Sequence, residues 1–158
     1  MIAILLGSNI GDRFLALEKA KLLIRERVNN QIIESSVFES EPWGFQDEIN
    51  FLNQVICVET KLPPHDLLEE LLAIEKEMGR MRSRSGYQSR VIDLDILLYN
   101  DLIVSDDKLK IPHPRLHERR FTLEPLNELL PDFIHPVLGR TVNELLNDCQ
   151  DKLIVKKL

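Results

Sequence analysis

Met1 to Leu6 runs apolar without a break and meets the small, polar stretch Gly7-Ser8-Asn9-Ile10-Gly11, which predicts a strand followed by a turn from Gly7 to Gly11. Asp12 then stands where a helix N-cap belongs, ahead of Leu17, Ala20, Ile24 and Val28 at the spacing of one helical stripe. Ile32 to Phe38 and Phe51 to Thr60 are rich in β-branched and aromatic residues and predict two strands. The long connection between them carries the turn signals of Glu41-Pro42-Trp43-Gly44-Phe45-Gln46-Asp47. Pro63 and Pro64 open a second helix, with Leu67, Leu71, Ile74 and Met78 on its stripe and Gly79 as its stop. Asp93 to Tyr99 predicts another buried strand. Beyond it the pattern weakens to a hairpin within Asn100 to Ile111 and short helices near Glu124 to Leu130 and Val142 to Asn147.

The order β-α-β-β-α-β is that of the ferredoxin-like arrangement, an α+β fold in which an antiparallel sheet carries its helices mainly on one face. A chain of 158 residues suffices for one domain with a proper core, and no Pro-rich, Gly-rich or single-charge tract marks a linker, so residues 1–158 are read as a single domain.

The formal net charge of -6 argues against a general nucleic-acid binder, which needs a broad basic surface. The arginines are nevertheless clustered, at Arg80, Arg82, Arg84 and Arg90 and again at Arg115, Arg119 and Arg120, a distribution suited to a pocket for a small polyanion. No segment approaches the length of a membrane span, and Ile2 to Leu6 is too short for a signal peptide. Cys57 and Cys149 lack metal-ligand or redox spacing, which fits a cytoplasmic protein with incidental thiols.

Asp93 and Asp95 change the picture most. Strand alternation sends both carboxylates to one face, roughly 6.6 Å apart along the chain, a separation that suits hard divalent cations whose shells are completed by phosphate oxygens and water. Ion pairing with nearby arginines is the structural alternative. The segment from Arg80 to Arg90, dotted with Ser83, Ser85, Gly86 and Ser89, is expected to behave as a lid that brings arginines to the phosphates, Arg90 foremost. Pro112-His113-Pro114 presents a histidine rigidly, Arg119 and Phe121 follow with an anion contact and an aromatic surface, and Glu75 lies near the end of the second helix. Gly7-Ser8-Asn9 lacks the lysine and hydroxyl of a P-loop. Phe51 and Asn53, two apart in a strand, share a face.

Together, Gly7-Ser8-Asn9, Phe51-Leu52-Asn53, Glu75 through Gly79-Arg80, Arg90-x-x-Asp93-Leu94-Asp95, Pro112-His113 and Arg119-x-Phe121 resemble the 6-hydroxymethyl-7,8-dihydropterin pyrophosphokinases over nearly the whole chain. The resemblance implies transfer of pyrophosphate from ATP to the hydroxymethyl group of a reduced pterin, with release of AMP, early in folate biosynthesis. It implies two magnesium ions on Asp93 and Asp95, and ATP contacts from Glu75, Arg82, Arg90, His113 and Arg119. Arg80 and Arg90 match the arginines of the mobile catalytic loop. Phe51 and Phe121 match the faces that stack on the pterin, Asn53 the side chain that reads its edge, and the backbones of Ser40, Glu41 and Trp43 are expected to help. A monomer is implied. The chain departs from the family pattern at Tyr87-Gln88-Ser89, where a small pair such as Gly-Pro typically follows the aromatic, and at Leu72, whose counterpart is often polar.

Two other readings stay open at this level. A noncatalytic ferredoxin-like module would not need Asp93 and Asp95 together, and a kinase moving the γ-phosphoryl group to another small alcohol would release ADP.

Overall fold

The structure, a computed structural model, describes residues 1–46, 48–79 and 91–158. Strand β1 (Ile2–Ser8) leads to helix α1 (Arg13–Arg27), then to the short strands β2 (Ile32–Glu34) and β3 (Phe38–Ser40) and the long strand β4 (Phe51–Val58). Helix α2 (Pro64–Glu77) is followed by β5 (Asp93–Tyr99), the two-residue strands β6 (Val104–Ser105) and β7 (Lys110–Ile111), helices α3 (Arg120–Leu129) and α4 (Val142–Asn147), and strand β8 (Val155–Lys157). The main sheet runs β5-β1-β4-β3-β8, with β2 also paired to β4, and its described pairings are all antiparallel.

Asp12 caps α1 as expected, its carboxylate accepting from the Leu15 amide at 3.0 Å. Gly79 follows α2 at φ 89°, a conformation open to glycine at little cost. The turn predicted from Gly7 begins later, because β1 continues through Ser8 and it is Gly11, at φ 67°, that reverses the chain.

Ile32 to Phe38 is not one strand. Ser35 divides it: its hydroxyl accepts from the Val55 amide at 3.0 Å, while its carbonyl accepts from Gln54 Nε2 at 2.7 Å. Polar side chains here take over ladder bonds, and regular pairing with β4 resumes only at Phe38. At the far edge β8, which the sequence pattern does not announce, pairs with β3 so that Val155 lies opposite Ser40.

Helices cover both faces rather than mainly one. Ile4, Leu6, Leu52, Ile56, Leu94 and Ile96 meet the apolar stripes of α1 and α2. Ala3, Leu5, Val55, Cys57 and Leu98 meet Leu123 and Leu126 of α3 and Val142, Leu145 and Leu146 of α4. The physical reason is in β1, which is buried at every position: a strand apolar on both sides needs cover on both sides.

One ion-pair cluster staples α1 to β2. The ammonium of Lys21, whose side chain is 4% exposed, lies 2.6 Å from both Glu18 and Glu34, and Arg25 also pairs with Glu34. Burial pushes the Glu34 carboxyl up, but Lys21 and Arg25 outweigh it and hold the pKa below its ordinary 4.5. A carboxyl lowered by folding contributes stability above that ordinary value and loses it as pH falls through the folded value. Glu34→Gln is therefore expected to cost on the order of 1 kcal/mol at neutral pH, and less as pH drops through the acid range. Urea melts of both proteins across that range check it; a deficit that does not shrink in acid would assign the loss to packing.

Candidate active site

The register of the sheet brings the candidate residues into one row. Gly7 of β1 pairs with Asp93 of β5 on one side and with Asn53 of β4 on the other, and Asn53 pairs in turn with Phe38 of β3. Paired residues of neighbouring strands point to the same face, so Asp93 and Asn53 stand on either side of a residue with no side chain. Asp95 lies one step down, opposite Leu5, on the same face. Phe51 lies two residues up β4 from Asn53 and pairs with Ser40.

Gly7 has little spare room. A Cβ there would sit 3.4 Å from Asn53 Oδ1 and 3.8 Å from Phe51 Cδ1. Asn53, 2% exposed, donates from Nδ2 to Ser40 Oγ at 2.7 Å, which orients its amide and directs Oδ1 towards Gly7. The ring of Phe51 is met edge-on by Phe45, with centroids 6.1 Å apart and planes at 88°.

The far side of the site comes from the segment after β7. The cis Ile111–Pro112 bond leads into His113, whose amide donates to the Leu97 carbonyl at 2.9 Å and so seats the segment on β5. His113 Nδ1 accepts from the Arg115 amide at 3.1 Å, and Nε2 lies 3.9 Å from Asp95 Oδ2. Burial, with help from Arg119 and Arg115 against the opposing Asp93, lowers the His113 pKa to about 4. The ring is thus neutral near neutral pH, and with Nδ1 accepting, its proton sits on Nε2, the nitrogen nearer Asp95.

Arg119, 7% exposed, is the N-cap residue of α3. Its guanidinium carbon lies 4.6 Å from the centroid of the Trp43 ring and 5.6 Å from that of Phe121, while that of Arg115 lies 5.4 Å from Trp43. Trp43 thus takes part through its side chain, beyond the backbone role expected of it. Glu41 is exposed and Ser40 buried.

Glu75 sits behind the row. It is 2% exposed, and its Oε1 accepts from the backbone amide of Leu94 at 2.8 Å. Since β5 is an edge strand, alternate amides turn away from β1, and this one lies between the two aspartates. Arg80, Arg82, Arg90 and the Tyr87-Gln88-Ser89 departure lie outside the described residues.

Sequence reasoning missed Phe45 as a member of the site; it lies two residues from Trp43, which is the signal it carries. Arg115, named only among the clustered arginines, joins the site through the Trp43 ring.

Residues 3–131 match the family described as 7,8-dihydro-6-hydroxymethylpterin-pyrophosphokinase. The 2-amino-4-hydroxy-6-hydroxymethyldihydropteridine pyrophosphokinase of Aquifex aeolicus is 42% identical over 139 residues, covering 88% of this chain and 86% of its own. The protein of the same name from Haemophilus influenzae is 38% identical over 154 residues, covering 97% of this chain and 95% of its own. Among solved structures, wild-type Plasmodium falciparum HPPK-DHPS superimposes with a TM-score of 0.68 at 20% identity; the match takes in 92% of this chain but 43% of that one, and speaks to the fold alone.

Proposed function

Because the chain belongs to the 7,8-dihydro-6-hydroxymethylpterin-pyrophosphokinase family, we propose that the sheet end carrying Asp93, Gly7 and Asn53 is where its reaction takes place. The activity is transfer of pyrophosphate from ATP to the hydroxymethyl group of the dihydropterin, a step of folate biosynthesis. The observation that carries the site assignment is the shared row: a carboxylate for the phosphate half and an amide for the pterin half, one strand apart on either side of a bare glycine.

Asn53 is the residue that reads the pterin edge. Its Nδ2 is engaged by Ser40, so Oδ1 faces the site as an acceptor for ring N–H groups. Phe51, steadied by Phe45, and Phe121 offer stacking faces, and backbone groups of Ser40, Glu41 and Trp43 complete the reading of the ring. On the other side His113, Arg119, Arg82 and Arg90 bind ATP, with Arg80 and Arg90 neutralising charge during transfer. Glu75, placed by resemblance near ATP, acts from behind β5 through the Leu94 amide.

The donor set fits magnesium. Asp93 and Asp95 supply hard oxygen ligands on one face, and phosphate oxygens and water, the usual company of this ion, would complete its shell. Two magnesium ions bound there would neutralise the phosphates and align the reacting oxygens. The protein's own part is positional. It holds the pterin hydroxyl in line with the β-phosphorus; the new O–P bond forms as the bond to the α-phosphate bridging oxygen breaks, AMP departs, and the hydroxyl proton is lost.

The core arrangement supports a ferredoxin-like βαββαβ unit if β2 and β3 are taken as one interrupted strand, elaborated by α3, α4 and β8. We read residues 1–158 as one domain, acting as a monomer in the cytoplasm. No described helix is long and apolar enough to cross a membrane.

Asn53→Ala tests the pterin half. It is expected to raise KM for the pterin by about ten-fold to a hundred-fold, since a lost buried polar contact is worth on the order of 1.5–3 kcal/mol, with KM for ATP little changed. Steady-state assay of pterin-dependent AMP release measures both. A rise confined to KM for ATP would remove Asn53 from the pterin site.

A further inference from the structure

Trp43 belongs to the connection between β3 and β4, on the pterin half, yet its ring lies against arginines from the segment that leads into α3. Arg119 lies against two aromatic rings, Trp43 at 4.6 Å and Phe121 at 5.6 Å from its guanidinium carbon, and is 7% exposed. A free arginine side chain samples many rotamers. A guanidinium already fixed against rings has lost much of that freedom before any phosphate arrives, so a ligand that binds it loses less. Stacking engages the face of the guanidinium and not its N–H groups, which lie in its plane and keep their geometry for a phosphate.

We propose that the Trp43 side chain is a positioning residue for the nucleotide: it holds Arg119 in the orientation that receives an ATP phosphate. The inference rests on the reading that Arg119 binds ATP. It adds that the loop which reads the pterin also builds part of the phosphate site. Replacing the aromatic face by an aliphatic one frees Arg119 while leaving its charge in place.

Binding of magnesium and α,β-methylene-ATP, a nucleotide that cannot be turned over, is measured by calorimetry. The proteins compared are the wild type, Trp43→Leu, Trp43→Phe, Arg119→Ala and the double variant Trp43→Leu/Arg119→Ala, with thermal melts to confirm folding. Arg119→Ala is expected to weaken binding at least ten-fold, and Trp43→Leu about three-fold to ten-fold, the range of a partly desolvated cation–π contact. Trp43→Phe is expected to restore most of the loss, and the double variant to bind no worse than Arg119→Ala. Trp43 is the single tryptophan of the chain, so its emission should also change on nucleotide binding in the wild type and stay unchanged in Arg119→Ala. If Arg119→Ala weakens binding but Trp43→Leu does not, or if the two losses simply add, the positioning role is overturned while the phosphate site stands. Unchanged binding in Arg119→Ala overturns both.

Discussion

Asp95→Asn is expected to lower turnover by about a thousand-fold or more while the protein melts within a few degrees of the wild type. The two halves of this expectation have separate causes. Asp95 is half-buried on the face covered by α3 and α4, and its neighbour across the ladder is Leu5, so an isosteric amide keeps both the strand pairing and the packing. What it removes is a formal negative charge and one hard oxygen ligand from a site where little besides charge stabilisation and alignment is left for the protein to supply. The loss should therefore appear in AMP formation and in the magnesium concentration needed for half-maximal nucleotide binding, with little effect on unfolding. Turnover within ten-fold of the wild type would remove Asp95 from the metal site.

Glu75 should show the opposite profile. Glu75→Leu is expected to destabilise the protein by about 2–4 kcal/mol, because it leaves the Leu94 amide without its carboxylate acceptor and forces a branched side chain into a closely packed position. Glu75→Gln keeps an acceptor oxygen and should recover more than half of that loss. Denaturant unfolding orders the three proteins, and the affinity for nucleotide then separates the two roles assigned to this residue. If the carboxylate contacts ATP through its charge, Glu75→Gln should bind nucleotide as poorly as Glu75→Leu; if it acts by pinning β5, Glu75→Gln should bind nearly as well as the wild type.

The parts of this protein that could be read in advance are those written in local periodicity. The stripes of α1 and α2, the run from Asp93 to Tyr99, the Asp12 cap and the Gly79 stop all depend on residues within a turn or two of one another, and they stand where the pattern put them. Alternation alone was also enough to place Asp93 with Asp95, and Phe51 with Asn53. What eluded the sequence is decided by distant partners. The break at Ser35 exists because Gln54 and Val55, on another strand, engage it. β8 is three residues with two lysines, a weak strand by propensity, and forms because β3 offers it an edge. The Trp43 ring finds Arg119 across more than seventy residues of chain, and no local pattern encodes that. The second helical layer was underestimated for a related reason: α3 starts at Arg120, ahead of the expected Glu124, without a side-chain cap to mark its beginning.

The alternation along β5 also sets how the gene can vary. Leu94 and Ile96 pack under α2 and α1, while Asp93 and Asp95 lie on the other face, that of the proposed site, so adjacent codons answer to different demands. On the proposed site, a change at an aspartate is expected to leave a folded protein that has lost turnover. A change at the intervening leucine is expected instead to lower stability, and with it the amount of folded chain.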